Sequence, residues 1–294
     1  PEFGQTPAQF GIKEPEELAK QLRRFSIPAA KTTGMRFGEN IQGYVYEPGG
    51  EGKRPAVIWL APFQTSYGFI ASVFRTATRS PAALVKAGFV TIAYDPIGTG
   101  ARQAERRSFY EQHPHWSLMG KMVQDARHAI DAALLVPGVD PDRIYLYGYA
   151  MGGMVATLTA SLDDRVAGVV TIAGFTPMRT DTDARRTGGV RRYSHLYGWM
   201  PRLGAFIGAE DRIPVDFHEV LAAIAPRPVL VIAPTLDRHA TLGEVTEAVR
   251  QAQKAYALQG VEVGIELQMP EDENRLTDTM QENAITWLKA HTAR

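Results

Sequence analysis

Apolar runs of strand length recur along the chain at 41–46, 56–60, 90–94, 144–147, 166–172, 229–232 and 261–267. Most are rich in β-branched or aromatic residues and are bounded by Gly or Pro, which is the pattern of short strands. Between them, the segments 71–87, 117–135, 151–162, 242–258 and 276–291 carry apolar residues at helical spacing. Strands that alternate with helices need right-handed crossovers, so the pattern predicts a mainly parallel sheet covered by helices on both faces. Val229-Leu230-Val231-Ile232 is apolar at every position, as a strand buried on both sides requires.

Two stretches break this rhythm. Residues 1–33 are polar, with one helix-like segment at 15–25, and are expected to form an N-terminal extension lying on the domain. Residues 176–216 are rich in Gly, Arg and aromatic residues and exceed the usual loop length. Insertions of that size are most often lids or binding loops, so a cap is expected there. The expected organisation is thus an extension at 1–33 and one α/β domain at 34–294 carrying a cap at 176–216.

Composition narrows the function classes. With 45% apolar and 22% charged residues over 294 positions, the chain can bury a large single core. Thirty-two basic residues balance thirty-two acidic ones, so no global field draws the protein to nucleic acid or to an anionic membrane. No apolar run approaches the roughly 20 residues of a membrane-spanning helix. The absence of cysteine removes disulfides, thiolate metal sites and a cysteine nucleophile. A start at Pro1-Glu2-Phe3 without Met is expected of a processed or engineered chain, and a periplasmic or secreted address is favoured over a cytoplasmic one. Oligomeric state is left open.

The sharpest chemical signal is Ile144-Tyr145-Leu146-Tyr147-Gly148-Tyr149-Ala150-Met151-Gly152-Gly153, a strand that turns tightly into a helix. This is the nucleophile elbow G-x-S-x-G with Ala150 where the serine belongs. Glycines at 148 and 152 make room for a strained residue at 150 and for close approach of helix to strand. The helix N-terminus favours a developing anion.

With these segments the chain resembles the α/β-hydrolase family, particularly its dienelactone-hydrolase-like and acetyl-xylan-esterase-like carbohydrate esterase branches. The resemblance extends to the strand at 55–62, to Asp95-Pro96-Ile97-Gly98-Thr99-Gly100, to Val139-Asp140-Pro141-Asp142-Arg143-Ile144, and to Ala225-Pro226-Arg227-Pro228 followed by the strand that leads to Asp237. It implies the α/β-hydrolase fold, with a mainly parallel central sheet, helices on both faces and a cap. It also implies serine-type hydrolysis of a small or carbohydrate-linked carboxylic ester, with no cofactor and no metal.

In such a triad Ala150 marks the nucleophile position and Asp237 is the acid that orients a histidine. Alanine has no nucleophile, so the chain is expected to form no acyl-enzyme. Two explanations stand: a serine exchanged deliberately to trap a bound ester, or a natural pseudo-hydrolase that binds an ester or sugar. The intact remainder of the elbow favours the first. The family order places the histidine after the acid, yet 269–276 reads Met-Pro-Glu-Asp-Glu-Asn-Arg-Leu and holds none. His239 and His195 are the candidates; His291 lies on the terminal helix, where exposure is the simpler reading. A further possibility is that the usual histidine position, near Glu273 or Asn274, is itself altered. Glu273, with an ordinary carboxylate pKa of about 4.3, is a poor base for serine.

The oxyanion hole is expected to combine the backbone N–H of Met151 with that of Phe63 or Gln64, since Pro62 has none to give. Tyr149, Tyr67, Trp199 and Arg192 are the expected substrate contacts. The cap also carries Arg179, Arg185, Arg186, Arg191 and Arg202, with Tyr193 and Tyr197 among them, a surface that suits either a uronate or phenolic ester or plain solvation. His113, His115, Asp125 and His128 lack the matched spacing of a metal site. A prolyl-oligopeptidase-type peptidase would need a propeller domain for which the chain lacks length.

Overall fold

The computed structural model describes residues 26–39, 41–63, 68–70 and 79–292. The expected helix at 15–25 and the first part of the one at 71–87 lie outside the described residues, as do Gln64 and Tyr67.

Eight strands form one sheet: β1 (Ala30–Phe37), β2 (Ile41–Pro48), β3 (Arg54–Leu60), β4 (Val90–Tyr94), β5 (Val139–Tyr149), β6 (Val166–Ile172), β7 (Val229–Ile232) and β8 (Ile265–Gln268). Their order is β1-β2-β4-β3-β5-β6-β7-β8. β2 pairs antiparallel with β1 and β4, and every pairing from β4 onward is parallel. This is the mainly parallel, helix-covered sheet that the alternation of elements predicts, in the α/β-hydrolase arrangement that the resemblance implies. The helices are α1 (Ser80–Lys86), α2 (Glu105–Gln112), α3 (Leu118–Leu134), α4 (Met151–Leu162), α5 (Phe217–Ala222), α6 (Leu242–Leu258) and α7 (Asp278–Thr292).

The sheet separates two cores. Val229 and Val231 of β7 point into the core shared by α3, α4, α5 and α6. Leu230 and Ile232 point into the opposite one, packed with Leu84 of α1 and Trp287 of α7. A period of two with both faces buried explains why that strand is apolar throughout.

Two expectations about elements need correction, and one helix gives no sign in the sequence. Residues 30–33 belong to β1, not to an extension; this edge strand is mostly exposed, so it lacks an apolar signature. The last strand begins at Ile265, because Val261 and the exposed Val263 lie in the turn after α6. Helix α2 has only Phe109 buried and a largely charged sequence, so apolar periodicity does not reveal it. The segment 176–216 contains no α-helix; short 3₁₀ turns and one π-helical turn, Arg192–Leu196, fold it over the C-terminal edge of the sheet.

Candidate active site

β5 ends at the centre of the sheet, and Ala150 joins it to α4 with φ 50° and ψ −118°. Only glycine adopts that conformation without strain. The turn is held by Ala150 N–H donating to Ile172 O at 2.8 Å and by glycine contacts on both sides. A Cβ on Gly148 would fall 2.1 Å from Gly152 O, and one on Gly152 would fall 1.9 Å from Leu60 O. The elbow backbone is therefore complete, with a methyl group at its tip. Met151 follows as the first residue of α4, where its N–H has no partner within the helix and points with the positive end of the helix dipole.

Asp237 lies in the loop after β7 and Asn274 in the loop after β8. Two backbone hydrogen bonds draw these loops together: Thr235 N–H to Pro270 O at 2.9 Å and Leu236 N–H to Asp272 O at 3.0 Å. As a result the Asn274 amide donates to Asp237 Oδ2 at 2.9 Å. Asp237 Oδ1 accepts from the His239 backbone N–H at 2.7 Å. The hydroxyl of Tyr149, the residue before Ala150, donates to Asn274 Oδ1 at 2.9 Å, and burial pushes its pKa up. Asn274 thus takes the place, in chain order and in contact with the acid, where a triad histidine would stand. Position after the last strand narrows the altered histidine site to Glu273 or Asn274, and the contact with Asp237 selects Asn274, whose amide carries no chemical signature of its own.

Around the elbow lies a cavity of about 350 Å³. Ala150, Met151, Phe63, Tyr149, Trp199, Arg192, Asp237 and His239 all line it, so the structure gathers eight of the expected site residues. His195 is not among them, and this is a correction. It sits exposed on the π-helical turn, its Nδ1 2.9 Å from Ser194 Oγ and its ring against Gly204. His291 is likewise remote, stacked on Trp287 of α7. His239 presents its side to the cavity, yet its Nε2 receives Arg238 Nε at 3.1 Å and no ring contact joins it to Asp237. Burial lowers its pKa, with the nearby Asp237 charge opposing.

Arg192 is the one cap arginine that reaches the cavity. Arg179 and Arg185 pair with Glu219 and Glu244, Arg191 pairs with Asp183, and Arg186 and Arg202 are exposed. Arg192 itself is buried and held on four sides, by Thr187 O, His239 O, Asp181 and the Tyr193 hydroxyl. Three of these six arginines are thus tied up in surface ion pairs. Among the described residues no group of three or more His, Asp or Glu could hold a metal. Asp125 instead forms a buried pair with Arg102 and Lys121, both at 2.7 Å.

The sequence pattern of the dienelactone hydrolase family matches residues 41–190, just over half of the chain, and spans the elbow. The chain belongs to the dienelactone hydrolase family. Among its relatives is YtaP of Bacillus subtilis, which carries a hydrolase name and is 30% identical over 180 residues, 60% of this chain and 56% of that protein. Polyketide transferase ATR5 of Stachybotrys chlorohalonatus is 25% identical over 185 residues, 62% of this chain and 57% of that protein. The match spans little more than half the length of these relatives. A glucuronoyl esterase from Teredinibacter turnerae superposes with a TM-score of 0.65 over 89% of this chain and 73% of its own, at 19% identity. An esterase of the same carbohydrate-esterase class from a marine bacterial metagenome gives a TM-score of 0.68 over 99% and 98%, at 15% identity. At these identities the structural likeness establishes the fold.

At the centre of the site stand the methyl group of Ala150, the carboxamide of Asn274 and the carboxylate of Asp237. A methyl group cannot attack a carbonyl, and a carboxamide cannot take up a proton near neutral pH. The helix N-terminus, the cavity and the acid are all retained.

Proposed function

We propose that this chain belongs by descent to the serine esterases and that its cavity binds a small carboxylic ester, free or carried on a carbohydrate, without hydrolysing it. The observation that carries this reading is the Asn274 amide hydrogen-bonded to Asp237. A serine exchanged to trap a substrate leaves the histidine in place. Here the proton-transfer position is also lost, on a different loop 124 residues along the chain, and its replacement is built into a hydrogen-bond chain running from Tyr149 to Asp237. The two losses together favour an evolved binding site over a single engineered exchange.

In such a site the ester carbonyl would lie against the Met151 N–H at the start of α4, as it would in an active relative, with the Ala150 methyl beneath it. Isothermal titration with p-nitrophenyl acetate, followed by mass spectrometry of the recovered ligand, tests this. Saturable binding with the ester returned intact is the expected result. Hydrolysis above the buffer rate that follows protein concentration would overturn it.

A further inference from the structure

The cavity has an aromatic wall, and the structure fixes that wall in place. Trp199 stacks on Tyr197 with ring centres 4.4 Å apart and planes 19° apart. Phe63 meets Trp199 edge-on at 5.9 Å, and Tyr193 lies 6.2 Å from it. All four rings line the cavity, together with the thioethers of Met151 and Met154 from α4. Three hydrogen bonds pin the backbone behind the wall. Arg106 Nη2 donates to Tyr197 O at 2.5 Å, the Tyr110 hydroxyl to Gly198 O at 2.5 Å, and Met119 N–H to Trp199 O at 3.0 Å. The wall is therefore set before any ligand arrives, and little side-chain freedom remains to be lost on binding.

The charges that line the same cavity already have partners of opposite sign or hydrogen bonds, although the buried Arg192 Nε has no hydrogen-bond partner among the described residues. The Arg192 guanidinium faces Asp181, both nearly inaccessible, and lies 4.6 Å over the Tyr193 ring. Asp237 directs its two oxygens to the His239 N–H and the Asn274 amide. A ligand that keeps a free carboxylate, such as a uronate acylated on a hydroxyl, would find no cation among the described lining residues without a carboxylate partner and would lose its hydration. A flat uncharged ring would gain stacking on the aromatic side and sulfur–aromatic contacts with the methionines.

We infer that the ligand of this cavity is an uncharged ester bearing a planar aromatic group, seated against the Trp199–Tyr197 stack. This inference rests on the ester-binding reading above and adds the ligand class. It replaces the uronate option suggested by the arginine-rich cap sequence.

Titration of the intact chain with phenyl acetate, cyclohexyl acetate and an O-acetyl glucuronate ester whose carboxylate is free separates the possibilities. Phenyl acetate is expected to bind about fivefold more tightly than its saturated counterpart, as one aromatic contact provides. That preference should vanish in Trp199→Leu. Tyr197→Leu, at a half-buried position, serves as the second variant should Trp199→Leu not fold. Equal binding of the phenyl and cyclohexyl esters, or tighter binding of the glucuronate ester, would overturn the aromatic inference while leaving the ester-binding reading standing. Saturable binding of none of the three would overturn both.

Discussion

Ala150 occupies a backbone conformation that a side chain disfavours, at φ 50° and ψ −118°. In an active relative that strain serves to present a nucleophile; here it presents a methyl group. Ala150→Gly should therefore stabilise the fold by about 1 kcal/mol, read as a raised midpoint in urea, because strain of this kind costs of order 1–3 kcal/mol and glycine escapes most of it. A loss of stability would mean that the turn is not strained. His239 offers a pH test. Burial holds its folded pKa below the ordinary value near 6.5, so the unfolded chain binds the proton more readily. The stability this contributes is complete above the unfolded pKa and is lost as pH falls through the folded one. His239→Gln should flatten the decline in stability between about pH 7 and pH 5. Residues with a distinctive chemistry in a distinctive place, Ala150 and Asp237, were legible in the sequence. Asn274 was legible only as one of two positions, with Glu273, where the usual histidine could be altered, since only the fold brings it against Asp237; His195 misled because a histidine in a cap sequence reads the same whether it faces the site or solvent.

At the scale of elements, the junction of β5 with α4 depends on backbone contact. Leu60 O of β3 stands where a Gly152 side chain would be, so Gly152→Ala should destabilise the protein by about 3 kcal/mol or more. Circular dichroism melts would show it; a near-neutral result would mean that α4 can move away from the sheet. Helix α2 shows why sequence periodicity has limits. Its sequence, ERRSFYEQ, has a weak apolar stripe, yet Arg106 and Tyr110 fasten the cap at Tyr197 and Gly198. Its role is carried by side-chain bonds to backbone, which leave no periodic trace. The central parallel strands were legible because burial on both faces forces a continuous apolar run. β1 was not, because an exposed edge strand needs no such run.

For the whole molecule, the ordered alternation of strands and helices predicted the parallel, helix-covered sheet and the motif resemblance implied its hydrolase arrangement, while the path of residues 176–216 and the contents of the cavity required the structure. One buried feature ties several parts together. Arg102, from the loop after β4, pairs with Asp125 of α3 at 2.7 Å and also donates to Asp95 O, while Lys121 closes on the same carboxylate. Arg102 keeps Glu105 at 2.7 Å and Lys121 keeps Glu39 at 2.9 Å, so Asp125→Ala removes the carboxylate that the two cations share and should cost about 2–3 kcal/mol. Chemical denaturation measures this directly, and a change under 1 kcal/mol would show that water reaches the pair.

The central claim is that a hydrolase-family site has lost its chemistry at two positions while keeping its geometry. Groups that act as one catalytic unit are strongly non-additive. The most direct test is kcat/KM for p-nitrophenyl acetate in the chain as it stands, in Ala150→Ser, in Asn274→His and in the double variant. The account predicts turnover in the double variant at least about 1,000-fold above either single one. Full activity in Ala150→Ser alone, or an inert double variant that still binds the ester, would contradict it.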